Sequence, residues 1–229
     1  MDKFDSIKTY SYIKGFAMAL GFDQTITALS FARQAHKDQL RKDGQPYIIH
    51  PMTMCSHAIS IGIKDDIILA SLLLHDVVED CNIKLADLPV SDEVKEIVDL
   101  LTYNKPNREY YGDDESYNAA VHEHKSEYYR KISENKYACL CKLFDRCHNV
   151  SSMADSFSYE KLRDYVKETR EYIVPLMRVT KDKWPICSNA LFILKYQINA
   201  ITDSIEISMN KAEDHIKAIY ESQASDKNK

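Results

Sequence analysis

This sequence predicts an all-α fold, on three observations. Only five glycines occur in 229 residues, few for a chain built on tight β-turns. Strict alternation of apolar and polar positions is scarce, so half-buried strands have little signal. Apolar residues recur instead at three- and four-residue spacing, the pattern of helices with one buried face.

A first helix is expected over 5–20, ended by Gly21. A second runs over 25–40, with Ala28, Phe31, Ala32 and Ala35 as its apolar stripe. The stretch 41–51 reads as a loop, because Gly44, Pro46 and Pro51 punctuate it. A third helix, 52–61, breaks at Gly62, and a fourth starts after Asp65 or Asp66, either of which can cap its first turn. A fifth, 91–103, turns Val94, Ile97, Val98 and Leu101 inward. Pro106, Gly112, Asp113 and Asp114 mark 104–123 as an exposed loop, and its tyrosines read as surface packing. Helices over 125–133, 137–152, 160–179 and 186–220 complete the bundle, with a polar tail from Glu221 to Lys229 expected to fray. Residues 1–180 are read as one domain and 181–229 as its C-terminal helical extension and tail.

A chain of this size is most simply one domain, able to bury about 70% of its unfolded surface. The net charge of −5 argues against a general binder of nucleic-acid polymers or membrane surfaces. An anionic ligand would have to be met by local basic residues. Six cysteines (Cys55, Cys81, Cys139, Cys141, Cys147 and Cys187) sit in apolar or helical contexts, as reduced intracellular thiols do. Cys139, Cys141, Cys147 and His148 lack the paired spacing of a structural zinc site, and on one helix the first two diverge by about 160°. Lys8 and Lys14 interrupt the opening apolar runs, unlike a signal peptide. The apolar run Ile67 to Leu74 is too short to span a bilayer. A soluble, cytoplasmic protein is expected, with a homo-oligomer left open.

The chemistry concentrates in four pieces. The run from Ile67 to Leu74 ends in His75, Asp76, Glu79 and Asp80, and buried charge normally finds a partner or a metal. On a continuous helix those four fall within an arc of roughly 140°. With His50 and Asp145, each in an apolar segment, His75 and Asp76 could close on one cation. Imidazole and carboxylate together suit Mn, Fe or Zn better than a thiolate-loving metal. Glu79, one turn beyond His75, could address a water at that cation without binding it. The plainer reading is a polar cluster closing a helix end.

The ordered motifs resemble a known family. They are Ala35-His36 through Gln39, the loop from Arg41 to Pro51 containing Pro46-Tyr47-Ile48-Ile49-His50-Pro51, and Leu73-Leu74-His75-Asp76-Val77-Val78-Glu79-Asp80. Lys142-Leu143-Phe144-Asp145-Arg146-Cys147-His148-Asn149 and the stretch from Glu168 to Leu176 follow. Over about 24–178 the chain resembles the HD-domain hydrolases of the RelA/SpoT type, including the small stand-alone alarmone hydrolases. The resemblance implies a helical HD-domain bundle and a Mn²⁺-dependent removal of the 3′-pyrophosphate from guanosine tetra- or pentaphosphate. It implies His50, His75, Asp76 and Asp145 as metal ligands, Glu79 and Asp80 as the catalytic acidic pair, and Arg41, Lys42 and Asn149 as nucleotide contacts. The chain is too short to add a synthetase domain, so a bifunctional enzyme is not expected.

Arg41 offers a planar fork to a phosphate or a base, which Lys42 cannot imitate. Asn149 shares a helical face with Asp145 and could reach a ribose or phosphate edge. Arg146 and His148 are read as structural, Arg146 with the option of neutralising the acidic cluster. The sequence departs from the family at Val150-Ser151-Ser152, where Ser151 removes a positive charge near the nucleotide, and at Cys81, where threonine is common. Two alternatives stand. The same site could act on another phosphorylated nucleotide, such as an adenosine alarmone or the 2′-phosphate of NADPH. Or the chain could be an antitoxin-like regulatory protein that binds a partner.

Overall fold

The most apolar stretch of the chain occupies its centre. In the computed structural model, which describes residues 5–42, 44–154 and 156–227, helix Asp66–Leu74 is buried at every position from Ile68 to Leu74. A helix apolar all round must be covered all round, and its neighbours do this. In chain order they are α1 (Ser6–Leu20), α2 (Asp23–Ala35), α3 (Ile49–Ser60), the central α4 (Asp66–Leu74), the single turn α5 (Val77–Asp80), α6 (Asp92–Leu101), α7 (Asp114–Ile132) and α8 (Lys136–Ser152). Then come α9 (Tyr159–Glu168), α10 (Val174–Lys183) and α11 (Ser188–Lys227). Helices α2, α3, α6 and α8 all pack on α4. Among the described residues the only β-pairing is an isolated bridge between Leu40 and Pro46. The fold is all-α. None of its helices is long and apolar enough to cross a membrane among the described residues.

Side-chain caps set several helix starts. Asp65 accepts from the Ile68 N–H at 3.1 Å, and Asn135 accepts from the Tyr137 and Ala138 amides at the start of α8. Helix α2 has no such cap of its own. Asp66, at the head of α4, supplies it across the bundle, accepting from the Gln24 and Thr25 amides at 3.1 and 2.7 Å. Two orphan donors are thereby satisfied and α2 is fixed on α4. Gly21 closes α1 at φ 69°, a left-handed conformation that glycine adopts without penalty.

Several expected boundaries shift. The second helix stops at Ala35, not at residue 40. The third begins at Ile49, so His50 and Pro51 lie in its first turn and not in the loop; a proline there gives up an N–H the helix does not use. The expected loop over 104–123 is irregular only to residue 113, apart from a 3₁₀ turn at Arg108–Tyr110, and α7 then starts on an Asp113 cap. The long helix over 160–179 is interrupted by a π turn, Thr169–Ile173. Helix α11 runs on through Lys227, where a fraying tail from Glu221 is expected. Its Leu191, Leu194, Ile198, Thr202 and Met209 are buried, while 210–219 are exposed. Asp43 and the last two residues of the tail lie outside the described residues.

Candidate metal centre

The helix wheel that places His75, Asp76, Glu79 and Asp80 on one continuous face needs correction. Helix α4 ends at Leu74, and α5 starts at Val77 after Asp76 adopts φ −103°, ψ −3°. Neighbouring residues on an unbroken helix point about 100° apart and do not face each other. The break removes that obstacle. Asp76 Oδ2 comes to 2.8 Å from His75 Nε2.

From the first turn of α3, His50 turns inward, and its Nε2 lies 3.2 Å from His75 Nε2. From the middle of α8, Asp145 Oδ1 approaches to 3.3 Å of His50 Nε2 and 4.0 Å of His75 Nε2. His50, His75 and Asp145 are buried. One donor atom each from His50, His75 and Asp76 falls within 4.8 Å of the others, a grouping a metal ion could occupy.

Electrostatics supports that fit. Burial lowers the proton affinity of His75, but Asp76 and Asp145 outweigh it and raise the imidazole to about 9. The two carboxylates demand positive charge at this point. Burial opposes ionisation of Asp76, yet the His75 and His50 imidazoles hold it below the usual carboxylate range. Asp145 is likewise held low against burial, first by Lys142. The His75 Nδ1 faces the Leu72 carbonyl at 3.0 Å, which can only accept, so the neutral ring keeps a lone pair on Nε2.

Among the supporting contacts, those of Tyr47, Lys142 and Gln39 involve residues to which the sequence gives no role. The Tyr47 hydroxyl donates to Asp76 Oδ2. Lys142 Nζ lies 3.1 Å from Asp145 Oδ2, and its place one turn before Asp145 is the signal that could have found it. Gln39 donates to Asp80 Oδ2 at 2.9 Å, and its Oε1 lies 2.6 Å from His36 Nδ1. Arg146 does not neutralise the metal cluster. It is buried against Tyr165, with its Cζ 4.0 Å from that ring's centroid, and pairs with Glu168 Oε1 at 2.5 Å. His148, read from sequence as structural, brings its Nδ1 to 2.8 Å from His50 Nδ1.

Two cavities meet beside the cluster. One, of about 280 Å³, is lined by Asp76, Glu79, Asp80, Asp145 and Asn149 among others. Glu79 Oε2 accepts from the Tyr103 N–H at 3.0 Å. Burial raises the Glu79 pKa, partly offset by that bond. The second cavity, of about 240 Å³, is lined by Arg41, Lys42, Ser152, Phe157 and Lys161, and it shares Tyr47, Asn149 and Tyr165 with the first. Lys161 Nζ stands 3.9 Å from the Phe157 ring centroid and Lys42 Nζ 5.1 Å. The Lys42 ammonium pushes Lys161 down to about 8. Asn149 donates to Asp145 Oδ1 at 2.6 Å, so it braces an acid of the cluster while lining both cavities. Ser151 does not face this second cavity: its hydroxyl donates to the Cys147 carbonyl, and it lines a groove between α3, α8 and α11. Ser152 is the neighbour that matters, accepting from Arg41 at 3.1 Å. A third cavity, of about 480 Å³, lies to one side and shares Tyr103 and Tyr128 with the cluster's own.

A helical bundle that gathers two imidazoles and the Asp76 carboxylate within reach of one cation, with Asp145 from a third segment against the imidazoles, defines a candidate metal-binding domain of the His/Asp type. The chain belongs to the HD-domain family, whose model matches residues 28–178. It is 30% identical over 169 residues to a protein of Synechocystis described as a probable guanosine-3′,5′-bis(diphosphate) 3′-pyrophosphohydrolase, covering 69% of this chain and 21% of that one. A protein of Aquifex aeolicus described as guanosine-3′,5′-bis(diphosphate) 3′-pyrophosphohydrolase is 32% identical over 155 residues, 65% of this chain and 20% of its own length. A probable GTP pyrophosphokinase of Mycobacterium leprae is 32% identical over 164 residues, 69% and 20% of the two chains. This chain therefore spans about a fifth of the length of these relatives. A solved metazoan ortholog of SpoT, described as hydrolysing ppGpp, shares the fold with a TM-score of 0.60 at 20% identity, over 80% of this chain and 95% of its own.

Proposed function

We propose that this protein is a metal-dependent hydrolase that removes the 3′-pyrophosphate from guanosine 3′,5′-bis(diphosphate) and the corresponding pentaphosphate. The observation that carries the reading is the junction of an acidic, metal-type cavity with a cationic one across Asn149 and Tyr165. One substrate with two phosphorylated ends could lie across both.

His50, His75, Asp76 and Asp145 would hold a divalent first-row cation, Mn²⁺ in this reading. When bound, such an ion lowers the pKa of water and polarises a phosphoryl oxygen. Glu79 then serves as the proton acceptor. Its Oε2 is held by the Tyr103 amide, and the upward pull of burial brings its basicity closer to neutral pH, where a general base works best. Asp80, fixed by Gln39, stands beside it as the second acid. Water oxygen adds to the phosphorus attached to the ribose 3′ oxygen. The bond from that phosphorus to the 3′ oxygen breaks, and the 3′ oxygen takes up a proton to become the ribose hydroxyl. Pyrophosphate leaves together with a nucleoside 5′-diphosphate from the tetraphosphate or a 5′-triphosphate from the pentaphosphate. Arg41 and Lys42 supply the local positive charge that an overall net charge of −5 does not.

The test is turnover by the purified protein with Mn²⁺ on a nucleotide panel. Guanosine tetra- and pentaphosphate should release pyrophosphate. Preferred turnover of an adenosine alarmone, or phosphate release from NADPH, would replace the substrate. No turnover with Mn, Fe, Co, Zn or Mg would give the lead to a partner-binding, antitoxin-like protein.

A further inference from the structure

We infer that His148 is a positioning residue for the metal centre, accepting the hydrogen bond that holds His50 in the tautomer whose Nε2 is bare. This rests on the reading of His50 as a metal ligand and deepens it.

The two imidazoles meet Nδ1 to Nδ1 at 2.8 Å, with ring centroids 4.7 Å apart. A contact that short needs one proton between the nitrogens, since two lone pairs or two N–H groups would repel. Two arrangements satisfy it, and they are not equivalent for the site. If His50 donates, its Nε2 keeps a lone pair directed at the space flanked by Asp145 Oδ1 at 3.3 Å and Asp76 Oδ2 at 3.7 Å. If His148 donates instead, the neutral His50 ring carries its proton on Nε2. It then points an N–H at Asp145 and cannot bind a cation through that atom.

His75 has no such freedom. Its Nδ1 faces the Leu72 carbonyl, which accepts and cannot donate. His50 is the adjustable member of the pair, because its partner is a second imidazole able to play either part. His148 lies one turn after Asp145 on α8, so one helix supplies both an acid of the cluster and the partner that orients the facing histidine. An imidazole ligand is commonly oriented through its other nitrogen in this way.

Two substitutions separate positioning from packing. In His148→Asn, the amide oxygen takes the approximate place of Nδ1 and can accept. In His148→Phe, a ring remains with no acceptor. Thermal denaturation reports whether each variant folds, and calorimetry with Mn²⁺ alone reports affinity. His148→Phe should bind Mn²⁺ about 10- to 100-fold more weakly than wild type, while His148→Asn should stay close to wild type. In ¹⁵N-histidine spectra of the zinc-loaded wild-type protein, His50 should carry its proton on Nδ1, and the His148 Nδ1 should be bare. Wild-type Mn²⁺ affinity in His148→Phe, an equal loss in a folded His148→Asn, or a protonated His148 Nδ1 in the zinc-loaded protein would each overturn the inference. Failure of the wild-type protein to bind Mn²⁺ at all would be a different result, overturning the metal reading itself.

Discussion

The Tyr47 hydroxyl donates to Asp76 Oδ2, the same oxygen that lies 2.8 Å from His75 Nε2. This joins the loop before α3 to the break between α4 and α5, and it fixes the carboxylate that faces the imidazole. Partners that orient a ligand in this way typically contribute a factor of about 10 to 100 in metal affinity, less than the ligand itself. Tyr47→Phe should therefore weaken Mn²⁺ binding by about 10- to 100-fold with the fold intact. By contrast, His75→Ala, Asp76→Ala and Asp145→Asn should each remove both metal and activity. Elemental analysis with circular dichroism separates the cases. Full occupancy and normal turnover in Asp145→Asn would take that residue out of the site.

Glu79 accepts one backbone hydrogen bond, from Tyr103, which an amide oxygen can also accept. Glu79→Gln should thus preserve the local structure, the metal and nucleotide affinity, and lose about 10²-fold or more in kcat. A wild-type rate on guanosine tetraphosphate would end its assignment as the base.

Arg41 is tied to Ser152 on the wall of the cationic cavity, away from the metal cluster. Arg41→Ala should weaken nucleotide binding and leave metal content unchanged. Arg41→Lys should not restore affinity fully, because an ammonium lacks the planar fork. Titration of nucleotide into the inactive Glu79→Gln protein reads this directly, and unchanged affinity in Arg41→Ala would exclude the role.

Glu168 accepts from Arg146 through one oxygen and from Lys125 through the other, both at 2.5 Å. Burial alone would raise its pKa, but Arg146 and Lys125 outweigh it and hold the carboxyl below its usual value. A depressed folded-state pKa contributes stability that is present above the unfolded value, about 4.3, and lost as pH falls through the folded one. Glu168→Gln should cost about 1–3 kcal/mol at pH 7, and the gap from wild type should begin to narrow below about pH 4 and shrink further as pH falls through the lower folded value. Urea denaturation at pH 7, 5 and 3.5 measures it. A gap independent of pH would show that packing, not charge, is lost.

The gathering of His50, His75, Asp76 and Asp145 is legible in the sequence because ionisable groups in apolar runs are chemically conspicuous. The means of gathering is not. Periodicity extends the helix of Ile67 to Leu74 through Asp80, whereas the chain breaks at Asp76, and nothing in the local pattern marks that break. Tyr47 and Asp76 lie 29 residues apart, so only the packing of α3 against α4 reveals their bond. Helix α7 is legible only in its second half, expected over 125–133. Its first half escapes a search for apolar stripes because the helix is polar over most of its 19 residues and buries only Tyr129 and Ile132, both near its end. Asn149 is readable as a neighbour of Asp145 on one helical face, but the carboxylate it braces is a matter of rotamer and distance.

Helix α11 runs for 40 residues, about 60 Å at the usual rise, and only its first part has side chains buried in the bundle. Up to Met209 its backbone hydrogen bonds are shielded on one side by packed neighbours; over 210–219 they have solvent around them. A helical segment that buries so little side-chain surface gains little from packing and is marginal in water at this length. A single unbroken rod therefore contains two regimes of amide exchange. Protons before Met209 should wait for the bundle to open, and those beyond it should exchange through local unwinding, with protection falling steeply along one continuous element.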